Sequence, residues 1–122
     1  MANTALTNFL KKHPNFTLPK VGMDFTIGYG SDRYAWRITE VDPDGKGFTA
    51  TEYSPVNKAV WPAQDWSFED ENGNLRLSDQ TIHCKFSYGN WKIDLDPRYS
   101  STTAERIYPR FGCRSYYRDP SF

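Results

Sequence analysis

A chain of 122 residues with 15 basic and 15 acidic side chains has no global positive field, which speaks against binding to duplex nucleic acid. The length suits one domain, residues 1–122, with a core of its own. The 2 cysteines and 2 histidines are widely spaced and make no zinc pattern, so neither a metal nor a cofactor is expected.

The first residues are polar and lack the apolar centre of a secretory signal, and no run approaches a membrane span. Unpaired thiols then suit a reducing compartment, and the expected location is cytoplasmic.

In chain order, a short helix is expected within residues 1–14. Asn3 or Thr4 caps it, and Leu6, Phe9 and Leu10 share one face. Lys11, Lys12 and His13 complement its C-terminal dipole, and Pro14 stops it. A helix this short is unstable alone, so it must pack on the sheet or on a second copy.

Residues 21–53 read as a three-stranded core. Val21, Met23, Phe25, Ile27 and Tyr29 alternate with Gly22, Asp24, Thr26 and Gly28, the period of a half-buried strand. Gly28, Gly30, Ser31 and Asp32 form a polar corner. Tyr34, Trp36 and Ile38 then share a face, and the pattern slips before Val41, which predicts a bulge. Asp42-Pro43-Asp44-Gly45 is a turn, and a strand rich in Thr and aromatics returns through Tyr53.

Residues 54–64 read as an irregular loop. Residues 65–95 read as two hairpins. One turns at Asn72-Gly73, with Glu69-Asp70-Glu71 as a solvated tip. The other turns at Tyr88-Gly89-Asn90, with Ile82, Cys84, Phe86, Trp91, Ile93 and Leu95 inward. His83 falls on the face opposite Cys84, so it does not activate that thiol. Residues 106–122 supply a last strand and a tail. The expected fold is all-β: a small SH3-like barrel or sandwich of about seven short antiparallel strands with a short N-terminal helix.

Two blocks carry a resemblance. VGMDFTIGYGSDRYAWRITEVDPDGK and RFGCRSYYRDPSF resemble the opening and the ending of a family of small phage-encoded accessory proteins of uncharacterised function. That family opens on Val-Gly-x-Gly-x-Thr, turns at Ser-Asp-Arg and ends on Tyr-Tyr-Asp-Pro-x-Phe. Ser31, Asp32, Arg33, Gly112, Arg114, Tyr116, Tyr117, Asp119, Pro120 and Phe122 fit the pattern. Asp24, in place of a Gly, and Arg118, inserted before Asp119, depart from it. The likeness covers the first third and the last tenth of the chain. It implies a phage or prophage protein and no known chemistry. By analogy, it points to a protein that counters a host defence.

The candidate site gathers Tyr29, Ser31, Asp32, Arg33, Trp36, Arg110, Arg114, Tyr116 and Tyr117, if the first and last strands become neighbours. Arg offers a planar fork for phosphate, and Tyr and Trp offer stacking faces for a base. Two readings of this set stand. Asp32 pairs with an arginine to lock the corner to the C-terminal strand and Tyr116 and Tyr117 bury against Trp36, or the set holds a nucleotide-like small molecule. The expected function is a non-catalytic binder that sequesters such a ligand, with a homo-oligomeric interface completing the pocket. The alternatives are an inhibitor that binds a host protein, for which exposed aromatics are suited, and a single-stranded nucleic-acid binder.

Overall fold

The computed structural model describes residues 8, 9, 11–13, 16–93 and 105–120. Nine strands are present among them: β1 (Asp24–Tyr29), β2 (Asp32–Val41), β3 (Gly47–Tyr53), β4 (Val56–Asn57), β5 (Trp66–Ser67), β6 (Leu77–Ser87), β7 (Asn90–Ile93), β8 (Glu105–Ile107) and β9 (Arg110–Phe111). Seven form one antiparallel sheet in the order β8-β7-β6-β3-β2-β1-β9, and β4 pairs with β5 beside it. No helix among the described residues is long and apolar enough to cross a membrane.

The sheet is curled into a half-barrel. β7 and β9 stand five places apart in the strand order, about 24 Å across a flat sheet. Yet Trp91 of β7 and Phe111 of β9 bring their rings to 5.6 Å. The two edge strands, β8 and β9, are joined by Tyr108 and Pro109 alone, a connection that spans at most about 11 Å. Proline has no N–H to donate, so the last strand expected within 106–122 breaks at Pro109 and changes edge.

Burial drives the curl. One face of the sheet presents Phe25, Ile27, Trp36, Ile38, Phe48, Ala50, Cys84, Trp91 and Ile107 as a single buried cluster, with Phe16 laid over it. Phe48 sits at the centre, with Phe25 at 5.1 Å and Trp91 at 5.1 Å. Cys84 is a fully buried thiol, and His83 on the opposite face meets Asp42 at 2.8 Å.

Several local expectations appear in the register. The pairing of β2 with β3 slips between Ile38 and Glu40, where the alternation broke. Tyr88 (φ 51°) and Gly89 (φ 78°) turn β6 into β7. Both lie at positive φ, as a primed two-residue hairpin turn requires. At the acidic tip, the Asp70 carboxylate accepts the N–H groups of Asn72 (2.8 Å) and Asn74 (3.0 Å). Those backbone donors hold its pKa below the usual range.

Other expectations are corrected. Residues 54–64 are not wholly irregular, because Val56–Asn57 pairs with Trp66–Ser67. The strand number is higher than expected because short bridging segments flank the long loop. The N-terminal helix falls mostly outside the described residues. Of it, the His13 N–H donates to the Phe9 carbonyl at 3.0 Å, and Phe9 meets Phe86 edge-on at 5.6 Å. Residues 94–104 and Phe122 also lie outside the described residues.

Candidate functional site

The C-terminal residues form a strap across the sheet. Gly112 takes φ 78°, which favours glycine, and its N–H donates to the Asp24 carbonyl at 2.8 Å. Beyond it, Thr26 Oγ1 donates to the Cys113 carbonyl (2.8 Å) and accepts from the Ser115 N–H (3.0 Å). The strap then pairs with β2: Arg33 and Tyr117 exchange backbone hydrogen bonds of 2.8 and 2.9 Å. β1 occupies the other side of Arg33. The strap has therefore crossed both strands, from the outer edge of β1 to the β3 side of β2. This is why Thr26 and its cross-strand partner Ala35 are fully buried on a face that alternation assigns to solvent.

Most of the expected site residues are employed in that crossing. Asp32 accepts the Asp119 N–H at 2.7 Å and the Tyr34 hydroxyl at 3.2 Å. The Arg33 guanidinium lies over the Tyr117 ring at 5.3 Å. Tyr116 stands edge-on to Tyr34 (5.4 Å) and to Trp66 (4.5 Å), and Tyr29 leans on Tyr34 at 5.7 Å. Ser31 sits exposed at the tip of the β1–β2 turn. Burial raises the phenol pKa values of Tyr34 and Tyr116; the Asp32 carboxylate adds to both. Burial alone raises that of Glu52. Trp36 is in the core, stacked on Phe25, and its Nε1–H is a buried donor without a partner.

Arg114 and Arg110 part company from this group. The Arg114 Nε–H donates to Asp24 Oδ2 at 2.9 Å, and its guanidinium covers Tyr53 at 4.9 Å and Phe68 at 5.6 Å. The Tyr53 hydroxyl donates to the other oxygen of Asp24 at 2.5 Å. Arg114 is thus a structural clasp between strap and sheet. Arg114→Ala is expected to cost about 1–2 kcal/mol of stability, since it leaves a half-buried carboxylate short of its donor. Chemical denaturation measures this, and an unchanged midpoint would show the clasp to be idle.

Arg110 belongs elsewhere, at the wall of a cavity of about 470 Å³. The cavity lies at the seam of the curled sheet, between the strand ends that Tyr108 and Pro109 connect. Phe16, Phe86 and Trp91 form its apolar wall, with Phe16 and Trp91 stacked at 5.5 Å and 15°. Ile107, Tyr108 and Pro109 line it from the β8–β9 link, and Gly89 and Asn90 from the β6–β7 turn. Lys12, His13 and Arg110 supply charge or hydrogen bonds, and among the described residues no Asp or Glu lines it. Among the described residues, neither Lys12 nor Arg110 has an ion pair or a hydrogen bond from its side chain.

No family model matches this chain, and neither a curated protein nor a solved structure matches it.

Of the nine residues expected at the site, only Arg110 lines the cavity. Lys12, His13, Trp91 and Tyr108 were outside that set. Their individual types were informative, a basic helix end and aromatic strand residues, but their convergence depends on the curl. Among the described residues, no three His, Cys, Asp or Glu side chains gather as a metal site.

Proposed function

We propose that this is a non-catalytic binding protein that takes up a nucleotide-like ligand in the seam cavity. The observation that carries the reading is the meeting of two basic residues, Lys12 and Arg110, with an aromatic wall in one cavity that no Asp or Glu lines among the described residues. A planar base suits Phe86, Trp91 and Tyr108, and an anionic group suits the cations. The volume falls within the roughly 300–1,000 Å³ of small-molecule sites. Uptake alone needs affinity and no chemistry, which fits sequestration of a signal.

The resemblance of Ser31-Asp32-Arg33 and of the Tyr116-Tyr117 ending supports a phage-encoded protein that counters a bacterial defence in the host cytoplasm. The curled sheet, with its edges two residues apart, supports an SH3-like barrel. A thermal-shift screen against mononucleotides, cyclic nucleotides, nucleoside diphosphates and short single strands tests the binding. Ligand at 100 times its dissociation constant adds about 2.7 kcal/mol. For a domain of this size that raises the midpoint by roughly 10 °C. A flat response to every compound would remove the reading.

A second reading has its own observation. Val56, Val60 and Trp61 are exposed together on the long loop, Val60 at 88%. Apolar exposure of this kind suits a protein partner. Capture of one host protein, lost on Trp61→Ser, would favour inhibition of a host factor over sequestration.

A further inference from the structure

We infer that the solvent face of β6, β7 and β8 binds single-stranded nucleic acid, holding phosphates on Lys85, Lys92 and Arg106 and stacking bases on Tyr88 and Tyr108. Three adjacent strands place the basic residues in one row. Lys85 is the cross-strand partner of Lys92, and Lys92 of Arg106, so their backbones stand about 4.8 Å apart in turn. Cys84, Trp91 and Ile107 of the same strands fill the core, and alternation turns the row to the opposite face. Lys85 and Arg106 are exposed and Lys92 is half-buried. The row stops at β3. There Gly47 pairs with Lys85, and the Asp42 carboxylate, held by His83 at 2.8 Å, takes up the room of a Gly47 side chain.

Like charges directly opposite one another on a sheet are destabilising, so the fold does not require this row. Charge that protects an open edge accounts for Arg106 on β8, but β6 and β7 lie inside the sheet. A tyrosine flanks the row on either side. Lys92 Nζ lies 5.7 Å from the Tyr88 ring, and the Arg106 guanidinium 5.1 Å from that of Tyr108. Tyr88 takes φ 51° in the β6–β7 turn and is 94% exposed, and Tyr108 is 70% exposed. A bulky residue at positive φ carries strain that asparagine or glycine avoids, and a ring this exposed gains almost no burial in return. Strain of this kind marks functional positions. Cations for the backbone and open rings for the bases are how proteins grip single strands. An acidic peptide or a lipid headgroup brings no planar group to such rings. Of the five residues only Tyr108 lines the seam cavity, so the inference goes beyond the nucleotide reading and does not depend on it.

Fluorescence anisotropy of the full chain tests it with labelled strands of about 12 nucleotides, within the usual range of site sizes. The probes are a deoxyribose and a ribose strand, their duplexes, and an abasic strand of equal length. Either single strand should bind at least about tenfold more tightly than its duplex or the abasic strand, because stacking needs unpaired bases. The sugar that binds tighter assigns DNA or RNA. Three phosphate contacts predict a slope of about −2 for log affinity against log salt. The double variant Lys85→Gln, Lys92→Gln should reduce the slope to about −0.7 without lowering the thermal midpoint. Tyr88→Asn, which suits the turn, should keep or raise the midpoint and weaken strand binding at least about fivefold.

Duplex or abasic strand bound as tightly as the single strand would overturn the inference, as would a strand that binds the lysine double variant normally or fails to bind the parent at low salt. Mononucleotide affinity should be unchanged in all these variants. Strand binding lost on Arg110→Glu but kept in the lysine double variant would move the strand to the seam cavity, removing this surface and leaving the cavity reading intact.

Discussion

Thr26→Val should lower the unfolding free energy by about 2–4 kcal/mol, although it preserves the shape of a fully buried side chain. The Thr26 hydroxyl serves both sides of the strap. It donates to the Cys113 carbonyl at 2.8 Å and accepts from the Ser115 N–H at 3.0 Å. Valine leaves two backbone groups without partners under the strap, each costing about 1–3 kcal/mol when water cannot reach it. The thermal midpoint should fall by roughly 10–15 °C. Thr26→Ser, which keeps the hydroxyl, should lose only about 1 kcal/mol. Hydrogen exchange adds a local readout: in the valine variant the Arg33 and Tyr117 amides, which face one another across the strap, should exchange faster than those of β3 and β6. A valine variant within about 0.5 kcal/mol of the parent would show that the strap is held by its backbone pairing alone.

Arg110→Glu is expected to weaken nucleotide binding by about 100-fold or more, equivalent to about 2.7 kcal/mol. The Arg110 side chain has no ion pair to lose among the described residues, and the residue is exposed on a two-residue edge strand. Its reversal should leave the unliganded protein within about 0.5 kcal/mol of the parent. Arg33→Glu provides the contrast. It removes the same charge from the strap region, where the guanidinium lies over Tyr117, and should leave nucleotide affinity unchanged. The pair of variants separates a pocket effect from a change in net charge. Equal losses in both would point to long-range steering, and a loss confined to Arg33→Glu would move the site to the polar corner.

The two halves of the expected constellation ended in different places because the chain turns between them. Arg114 and Tyr117 both meet the outer face of the sheet, at Asp24 and at Arg33. Arg114 reaches Asp24 and Tyr53, while the Tyr117 backbone docks on Arg33. Arg110 precedes the Gly112 turn and lines the seam cavity instead. Spacing along the chain showed none of this, because Gly112 at φ 78° redirects the chain between them.

Local chemistry made several elements legible in the amino-acid sequence. Phe25 and Ile27 point inward because a strand repeats every second residue. The turns at Asn72-Gly73 and Tyr88-Gly89 are marked by glycines that take positive φ, and the bulge at Ile38 appears as a break in alternation. Each of these is decided within a few residues. The strap, the closure of the sheet and the cavity are not. They join Thr26 to Ser115 and Lys12 to Arg110 across most of the chain. Such contacts follow from how far the sheet curls to bury Phe48, Trp91 and Phe111 together. That curl is set by side-chain volume summed over seven strands, a quantity that only the folded tertiary structure assembles.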